Sequence, residues 1–386
     1  MSDLKCDVAI IGGGPVGASL ALALRDSGLD VHVLEARKPE EIQPDPRALA
    51  LSYGSRLLLE RLGVWGAIPQ LTGIRTIHIS QKRALGRAIL RAEELKVHEL
   101  GYVLPYHALH SALQAALQAS GMNYLTGASV TQLHTRADEA RIEFLHDGAE
   151  HTLTAQLAVV ADGGKLLEAT HPPEITDYGQ SAIIAHVTCE HFLPDTAFER
   201  FTTQGPVALL PYADGYELVW TASHERAQEV LGWDEATFLV KLHEHFGDRV
   251  GAFSSVGKRT CFPLRLKRAP ETVLPHTALL GNAAQTLHPV AGQGFNMGLR
   301  DAWDLAQTIL QCAPDTLGSD IMLTSYRKSR RLDRTAGIRF TDSLVKLFSN
   351  DLPLLGAGRA ASLSLLDCLP FAKRFVAKRM MFGANG

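Results

Sequence analysis

Three short stretches of this chain carry residues whose types and spacing suit the holding of a dinucleotide. The first is Gly12-Gly13-Gly14-Pro15-Val16-Gly17, a G-x-G-x-x-G. In such a turn Gly12 lets the chain leave a strand sharply, Gly14 lets the backbone approach a pyrophosphate, and Gly17 lets the following helix pack on the strand. The helix start then offers free N–H groups and a positive dipole end to phosphate. Glu35, followed by Ala36, stands where an acid accepts hydrogen bonds from a ribose hydroxyl. The second stretch is Val159-Val160-Ala161-Asp162-Gly163, an acid–glycine pair directly after an apolar run. Alone, it also reads as an ordinary strand-to-loop turn. The third begins at Gly281-Asn282 and runs through His288-Pro289 to Gly292-Gln293-Gly294-Phe295-Asn296-Met297-Gly298. Its glycines at 292, 294 and 298 bracket a helix start whose N–H groups can face an anionic or electron-rich edge.

These residues need particular elements to hold them. Residues 6–11 form a short apolar run, as expected for a buried parallel strand. Residues 18–27 have helical composition, Gly28 is a stop, and 31–35 form a second strand. Residues 38–46 read as a loop and 47–62 as a helix. Residues 74–79 and 88–90 alternate like strands. Residues 107–120 form a helix with Leu109, Leu113 and Leu117 on one face. Residues 157–161 are another buried strand. Residues 181–188, 198–201, 207–211 and 216–221 read as a mostly antiparallel sheet, followed by a helix over 237–246. A short strand at 277–280 leads to a long helix from about 296 to 312, and the tail from 325 is mostly helical. Together these elements predict an α/β fold: a Rossmann-like dinucleotide domain, an inserted, mostly antiparallel β-sheet domain and a helical C-terminal tail. The expected boundaries are 1–74, 101–177 and 266–335 for the first domain, 75–100 and 178–265 for the second, and 336–386 for the tail.

Composition narrows the classes of function. The 386 residues are 46% hydrophobic and 20% charged, with a net charge of −3. That suits a globular protein and supplies no basic field for nucleic acid. Cys6, Cys189, Cys261, Cys312 and Cys368 are far apart, odd in number and include no CxxC. Neither a disulfide framework nor a zinc site is expected, and a reducing cytosol fits. His243 and His245 stand two apart on a helix and face different ways, so no metal site is expected. No signal peptide and no membrane-spanning run of apolar residues is read.

In their order and spacing the three stretches resemble the aromatic-hydroxylase class of FAD-dependent flavoprotein monooxygenases, similar in fold to para-hydroxybenzoate hydroxylase. Residues 281–302 resemble that family's pattern G-D-x-x-H-x-x-x-P-x-x-G-x-G-x-N-x-x-x-x-D-A. Asn282 and Gln285 stand where most members have Asp and His. This variant resembles the ubiquinone-biosynthesis branch, and within it the 2-polyprenyl-6-methoxyphenol hydroxylases. Residues 47–51 (Arg47 to Leu51), 198–202 (Phe198 to Thr202), Gly205-Pro206, 341–345 and Leu347-Phe348 are similar too, so the likeness covers nearly the whole chain.

The resemblance implies FAD as cofactor, NADPH or NADH as cosubstrate, and hydroxylation of a polyprenylated phenol by O2 through a flavin C4a-hydroperoxide. Motif and resemblance together assign Gly12, Gly14, Pro15, Val16, Gly17, Glu35, Ala36, Arg47, Asp162, Gly163, Gly281, Asn282, Pro289, Gly292, Gln293, Gly294 and Asn296 to the cofactor. His288 and Pro289, in the loop expected beside the flavin ring, are the catalytic candidates. Many members carry Ser-Arg after the acid–glycine pair; here Lys165-Leu166-Leu167 stands nearby, which leaves the nicotinamide contact unassigned. With no second G-x-G-x-x-G, that cosubstrate is expected to dock transiently over the flavin.

A prenylated phenol is too apolar for free diffusion in water, at roughly 0.8 kcal/mol per CH₂. A cytoplasmic protein that touches the inner membrane peripherally, or joins a ubiquinone-biosynthesis complex, is therefore expected. Residues 371–382 carry Phe371, Phe375 and Phe382 with Lys373, Arg374, Lys378 and Arg379 and no acid, which suits either an anionic lipid surface or a solvated terminal helix. Two other readings stay open: a flavin oxidoreductase of this fold with another substrate, and a flavin-binding, non-catalytic subunit of a biosynthetic complex.

Overall fold

The computed structural model describes residues 4–41, 45, 47–82, 86–136, 138–287, 292–348 and 353–384; for 344–348 and 353–360 the description covers the backbone alone. The chain opens with β1 (Leu4–Ile11), α1 (Pro15–Leu24) and β2 (Val31–Glu35). β1 runs parallel to β2 with Val8 opposite Val31. From Val8 to Ile11 its side chains are apolar on both faces because both faces are covered. Val8 and Ile10 pack with Leu20, Leu24 and Leu305, while Ala9 and Ile11 pack with Ile142 and Phe144.

Next come β3 (Ala48–Ser52), α2 (Tyr53–Arg61), β4 (Thr72–Ile74), β5 (Thr76–Gln81), β6 (Arg87–Arg91), α3 (Ala92–Leu95), β7 (Gly101–Pro105), α4 (Tyr106–Ala119) and β8 (Asn123–Thr126). The helix expected over 47–62 is corrected here. Residues 48–52 are a strand paired antiparallel to β7, with Ala50 opposite Val103. The helix begins at Tyr53 because Ser52 is its N-cap: extended at φ −73 and ψ 159, with a side chain that accepts from Ser55 N. Strand pairing outweighs the helix propensity of Ala and Leu in this stretch.

β9 (Ser129–Thr135), β10 (Ala140–His146) and β11 (Ala149–Val160) follow as a meander. The sequence reading recovers only the end of β11, because β9 is largely exposed and lacks an apolar run. β12 (Glu174–Cys189), β13 (Thr196–Phe201), β14 (Val207–Tyr212) and β15 (Gly215–Ser223) lead to α5 (His224–Gly232) and α6 (Glu235–Phe246). Then come β16 (Phe253–Val256), β17 (Thr260–Arg268), β18 (Val273–Leu274), β19 (Thr277–Leu279), β20 (Gln285–Thr286) and α7 (Gln293–Gln311). α8 (Asp320–Phe348), α9 (Pro353–Cys368) and α10 (Pro370–Phe382) close the chain.

Among the described residues the strands make three sheets. The first has the order β18-β19-β11-β1-β2-β8, with β10 and β9 beside β11. The second has the order β20-β17-β12-β15-β14-β13-β5-β6, with β16 on β12. β3, β7 and β4 form the third. One face of the second sheet carries Tyr216, Trp220 and Phe198, which pack under Phe238 and Phe246 of α6.

The tail is not an appendage. Lys373 is buried and its Nζ donates to Glu94 Oε1 at 3.1 Å and to Ile89 O at 3.2 Å. Ala377 and Met381 pack with Leu90 and Leu100. Phe382 meets Tyr53 edge to face, and Ala384 N donates to Asp333 at 2.7 Å. Phe371 and Phe375 remain exposed, so the three phenylalanines do not share one environment. Among the described residues no helix is long and apolar enough to cross a membrane, and no group of three His, Cys, Asp or Glu could hold a metal.

Candidate functional site

The three signatures meet at one edge of the first sheet. β19, β11 and β1 are adjacent and parallel, so their C-terminal ends lie side by side. The glycine turn follows β1, Asp162 follows β11 and Gly281 follows β19. In open parallel sheets this edge is where ligands bind. The backbones touch. A Cβ on Gly12 would stand 2.6 Å from Ala161 O, and one on Gly164 would stand 3.2 Å from Ala283 Cα. Gly12 has a φ of +106 and Gly281 one of +54, in the region that favours glycine.

Each glycine of the first turn has a distinct surrounding. A Cβ on Gly17 would fall 2.0 Å from Gly12 O, so helix and strand approach only without a side chain. At Gly14 the same Cβ would meet nothing within 4 Å. The open space over Gly14 lies at the start of α1, whose first intrahelical bond is Ala18 N to Gly14 O at 2.9 Å. The N–H groups of Val16 and Gly17 precede that bond and can face an anion. These features fit a pyrophosphate-bearing cofactor.

Glu35 is buried at the end of β2 and tied to the turn. Its Oε2 accepts from Gly13 N at 2.9 Å. Its Oε1 accepts from Arg37 N at 3.1 Å and Arg37 Nε at 2.8 Å. Oε2, with one bond, keeps a second lone pair for a hydroxyl. Two residues absent from the motif reading brace the turn from behind. Gln114 Nε2 donates to Gly13 O at 2.6 Å, and Tyr124 OH donates to Gln114 Oε1. Neither has a local sequence signal; α4 and β8 bring them there.

Asp162 shapes its own loop, accepting from Gly164 N at 2.7 Å and from Leu166 N at 2.8 Å. Gly163 and Gly164 both take positive φ beneath it. Asn282 is exposed. Val16 fills the angle between Gly281 and Gly298, where a Cβ would come within 3.2 Å and 2.9 Å of it respectively. α1 and α7 can converge because both positions are glycine.

α7 starts after Gly292, which is left-handed at φ +58. Gln293 Nε2 donates to Met380 O at 3.3 Å and so joins the helix start to α10. The Asn296 amide is 1% exposed and bonded throughout. Its Oδ1 accepts from Ser52 N at 2.8 Å and Ser55 Oγ at 2.7 Å, and its Nδ2 donates to Ala50 O at 3.0 Å and Gly292 O at 2.7 Å. The side chain clamps α7 to β3 and α2. Arg47 pairs with Asp45, Nε to Oδ1 at 2.9 Å, and lies over Tyr106 and Phe262 at 5.8 and 5.3 Å. Burial alone would raise the Asp45 carboxyl; the bonds from Arg47 hold it below its ordinary value. His288 and Pro289, the catalytic candidates, lie outside the described residues.

Behind α7 a buried ionic cluster fixes the helix. Asp301 is fully buried and accepts from Gln285 Nε2 at 2.9 Å and Arg330 Nε at 2.8 Å. Arg330 also donates to Asp304 at 2.8 Å and Asp333 at 2.7 Å. Arg300 Nε reaches Asp333 at 2.8 Å. Burial would raise Asp301, and Arg334 and Arg330 hold it below the usual carboxylate range. Gln285 thus connects the third signature to this cluster.

The family model described as an FAD binding domain matches residues 5–341. The chain belongs to this family of FAD-binding flavoproteins. FAD is therefore the cofactor of this chain. The flavoprotein is 32% identical over 396 residues to the ubiquinone hydroxylase UbiL of Rhodospirillum rubrum, covering 98% of this chain and 90% of that protein. It is 32% identical over 368 residues to the 3-demethoxyubiquinol 3-hydroxylase of Escherichia coli, covering 92% and 93%. The p-nitrophenol 4-monooxygenase PnpA of Pseudomonas putida DLL-E4 superimposes with a TM-score of 0.79 over 100% of both chains at 18% identity, a likeness of fold.

Proposed function

We propose that this flavoprotein is an NAD(P)H-dependent monooxygenase that hydroxylates the ring of a polyprenylated phenol in ubiquinone biosynthesis. The observation that carries the reading is the junction of the three signatures at one sheet edge, in a chain with near full-length similarity to ubiquinone hydroxylases. When bound, FAD accepts hydride from the nicotinamide cosubstrate and activates O2 for transfer to the ring. The chain's residues bind and orient. The Gly14 opening and the first N–H groups of α1 receive the pyrophosphate, and Glu35 and Ala36 the ribose. Asp162, Gly163, Gly281 and Asn282 hold the middle of the cofactor, and the start of α7 at Gly292, Gln293 and Gly294 faces its ring. In this reading Asn296 acts by fixing that helix start, and Arg47 acts from the rim. The cofactor domain comprises 1–74, 101–177 and 266–335, and 75–100 with 178–265 form the substrate domain.

The same reading extends to the lipid. Leu365, Phe371 and Phe375 are exposed at 60%, 73% and 60%, with exposed Arg374 and Lys378 among them. Apolar side chains beside cations suit a peripheral contact with an anionic membrane, where the tail of the substrate resides. The decisive experiment incubates purified protein with NADPH or NADH, O2 and a geranylated phenol. The expected results are one FAD per chain on acid extraction and a product heavier by one oxygen in the mass spectrum. Absence of FAD, or cosubstrate oxidation with no hydroxylated phenol from any prenylated substrate, refutes the proposal.

A further inference from the structure

The second sheet turns one face to α5 and α6 and the other to the cofactor body. Alternation along β13 sends Phe198 under α6 and puts Ala197, Glu199 and Phe201 on the opposite face. There Ala197 packs with Ile74 and Val103, and Phe201 packs with Leu363 of α9. Glu199 sits between these two anchors. Its cross-strand neighbours are Ile79 of β5 and Ala208 of β14, and the row continues through Val219 of β15 to Ile184 of β12. Glu199, Ala208, Val219 and Ile184 are all half-buried, whereas Thr221 and Glu217, beside the row on the same face, are buried. The row is an apolar strip left open on an inward-turned face, with one carboxyl at its end.

Glu199 has no hydrogen-bond or ion-pair partner among the described residues, and burial pushes its carboxyl up to about 7 without help from any charged neighbour. The residues that face it from β5, β14, β6 and α9 are Ile79, Ala208, Ala88 and Leu363. His78 lies against Phe198 on the other face, ring centroids 5.7 Å apart, where Arg200 and Arg249 also lie. Asp367 and Lys373, at the junction of α9 and α10, pair with each other at 3.6 Å. A half-buried carboxyl with no protein partner among the described residues, at the end of a half-buried apolar strip, is poised for a ligand group.

We propose that Glu199 is the base that takes the proton of the substrate's phenolic hydroxyl. This rests on the hydroxylase reading above. The phenol O–H bond breaks, its electron pair stays on oxygen, and the proton bonds a carboxylate oxygen of Glu199. The phenolate pushes electron density to its ortho and para carbons, which raises their reactivity toward an electrophilic oxygen. After transfer, the ring carbon loses its proton to solvent, and Glu199 returns its own proton to the phenolate of the product. A free phenol ionises near pH 10, so an ordinary carboxylate is a poor base for it, whereas one that titrates near neutrality is far better matched.

The test uses the FAD-loaded enzyme, a geranylated phenol and the variants Glu199→Gln and Glu199→Asp. Wild-type kcat should rise with pH through an inflection near 7. E199Q should keep its FAD, lose on the order of a hundredfold in kcat with little change in KM, and lose the inflection. E199D should keep the inflection at a reduced rate. Ultraviolet difference spectra of the bound phenol give a readout without turnover: ionisation well below pH 10 in the wild type and near the free value in E199Q. An E199Q enzyme with wild-type kcat, pH profile and phenol ionisation overturns the proposal. Should E199Q fail to hold FAD, an E199D enzyme with unaltered kcat and profile overturns it equally. A wild type that hydroxylates no phenol refutes the hydroxylase reading instead, so the two failures are distinct.

Discussion

Consider the replacement of Arg330 by methionine. Arg330 is 1% exposed and donates to Asp301, Asp304 and Asp333 at 2.8, 2.8 and 2.7 Å. Methionine fills much of the volume but removes the charge, so the cluster goes from three guanidiniums against three carboxylates to two against three. Asp301 keeps Gln285 at 2.9 Å and Arg334 Nε at 3.5 Å, near enough for attraction but without a hydrogen bond. Asp333 keeps Arg300 at 2.8 Å and Ala384 N at 2.7 Å. Breaking one side of a buried ion pair costs about 3–5 kcal/mol. The loss should be read as a lower urea midpoint of the FAD-loaded protein and weaker FAD retention, because Asp301 anchors α7.

The pH dependence gives the sharper reading. In the wild type Asp301 and Asp333 are held below their ordinary value despite burial. Their stabilising contribution is complete above about pH 3.9 and is lost only as pH falls through their depressed folded values. In Arg330→Met, burial is less opposed and the folded values rise. The penalty is then full above those raised values and shrinks as pH falls through them. The gap in stability between wild type and variant should narrow between pH 8 and pH 5. A variant within about 1 kcal/mol of wild type at pH 8, or a gap that does not change with pH, refutes this account of the cluster.

Four further outcomes are expected. Gly14→Leu should fold normally by circular dichroism, since no protein atom meets its Cβ within 4 Å, yet contain no FAD on acid extraction. Asn296→Ala should cost about 2–4 kcal/mol in urea denaturation, because the Ser52 N–H and the Ala50 carbonyl lose their buried partner. Removing everything after Pro370 should destabilise the whole protein, measured by thermal denaturation, since α10 supplies Lys373, Ala377 and Met381 to its packing. Phe371→Ser with Phe375→Ser should leave the melting temperature nearly unchanged while reducing flotation with anionic liposomes, which separates lipid contact from folding.

The sequence alone determined the local devices of this flavoprotein. A glycine turn between an apolar strand and a helix is legible because backbone space and φ are decided residue by residue, as at Gly12 and Gly17. The long apolar strands and the helix of residues 106–119 are legible because burial on one or both faces leaves a period in the residues. Tertiary structure decided what depends on partners distant in the chain. Residues 48–52 are a strand because β7 offers them hydrogen bonds, which no local pattern records. Asn296 fits a cofactor contact in the motif, yet its amide is bonded to Ala50, Ser52, Ser55 and Gly292. The Arg330 cluster joins residues of α7, α8 and β20, and Lys373 finds Glu94 across the chain. A charged side chain in a sequence reads as surface by default; only packing that excludes water turns it into an anchor or, at Glu199, into a base.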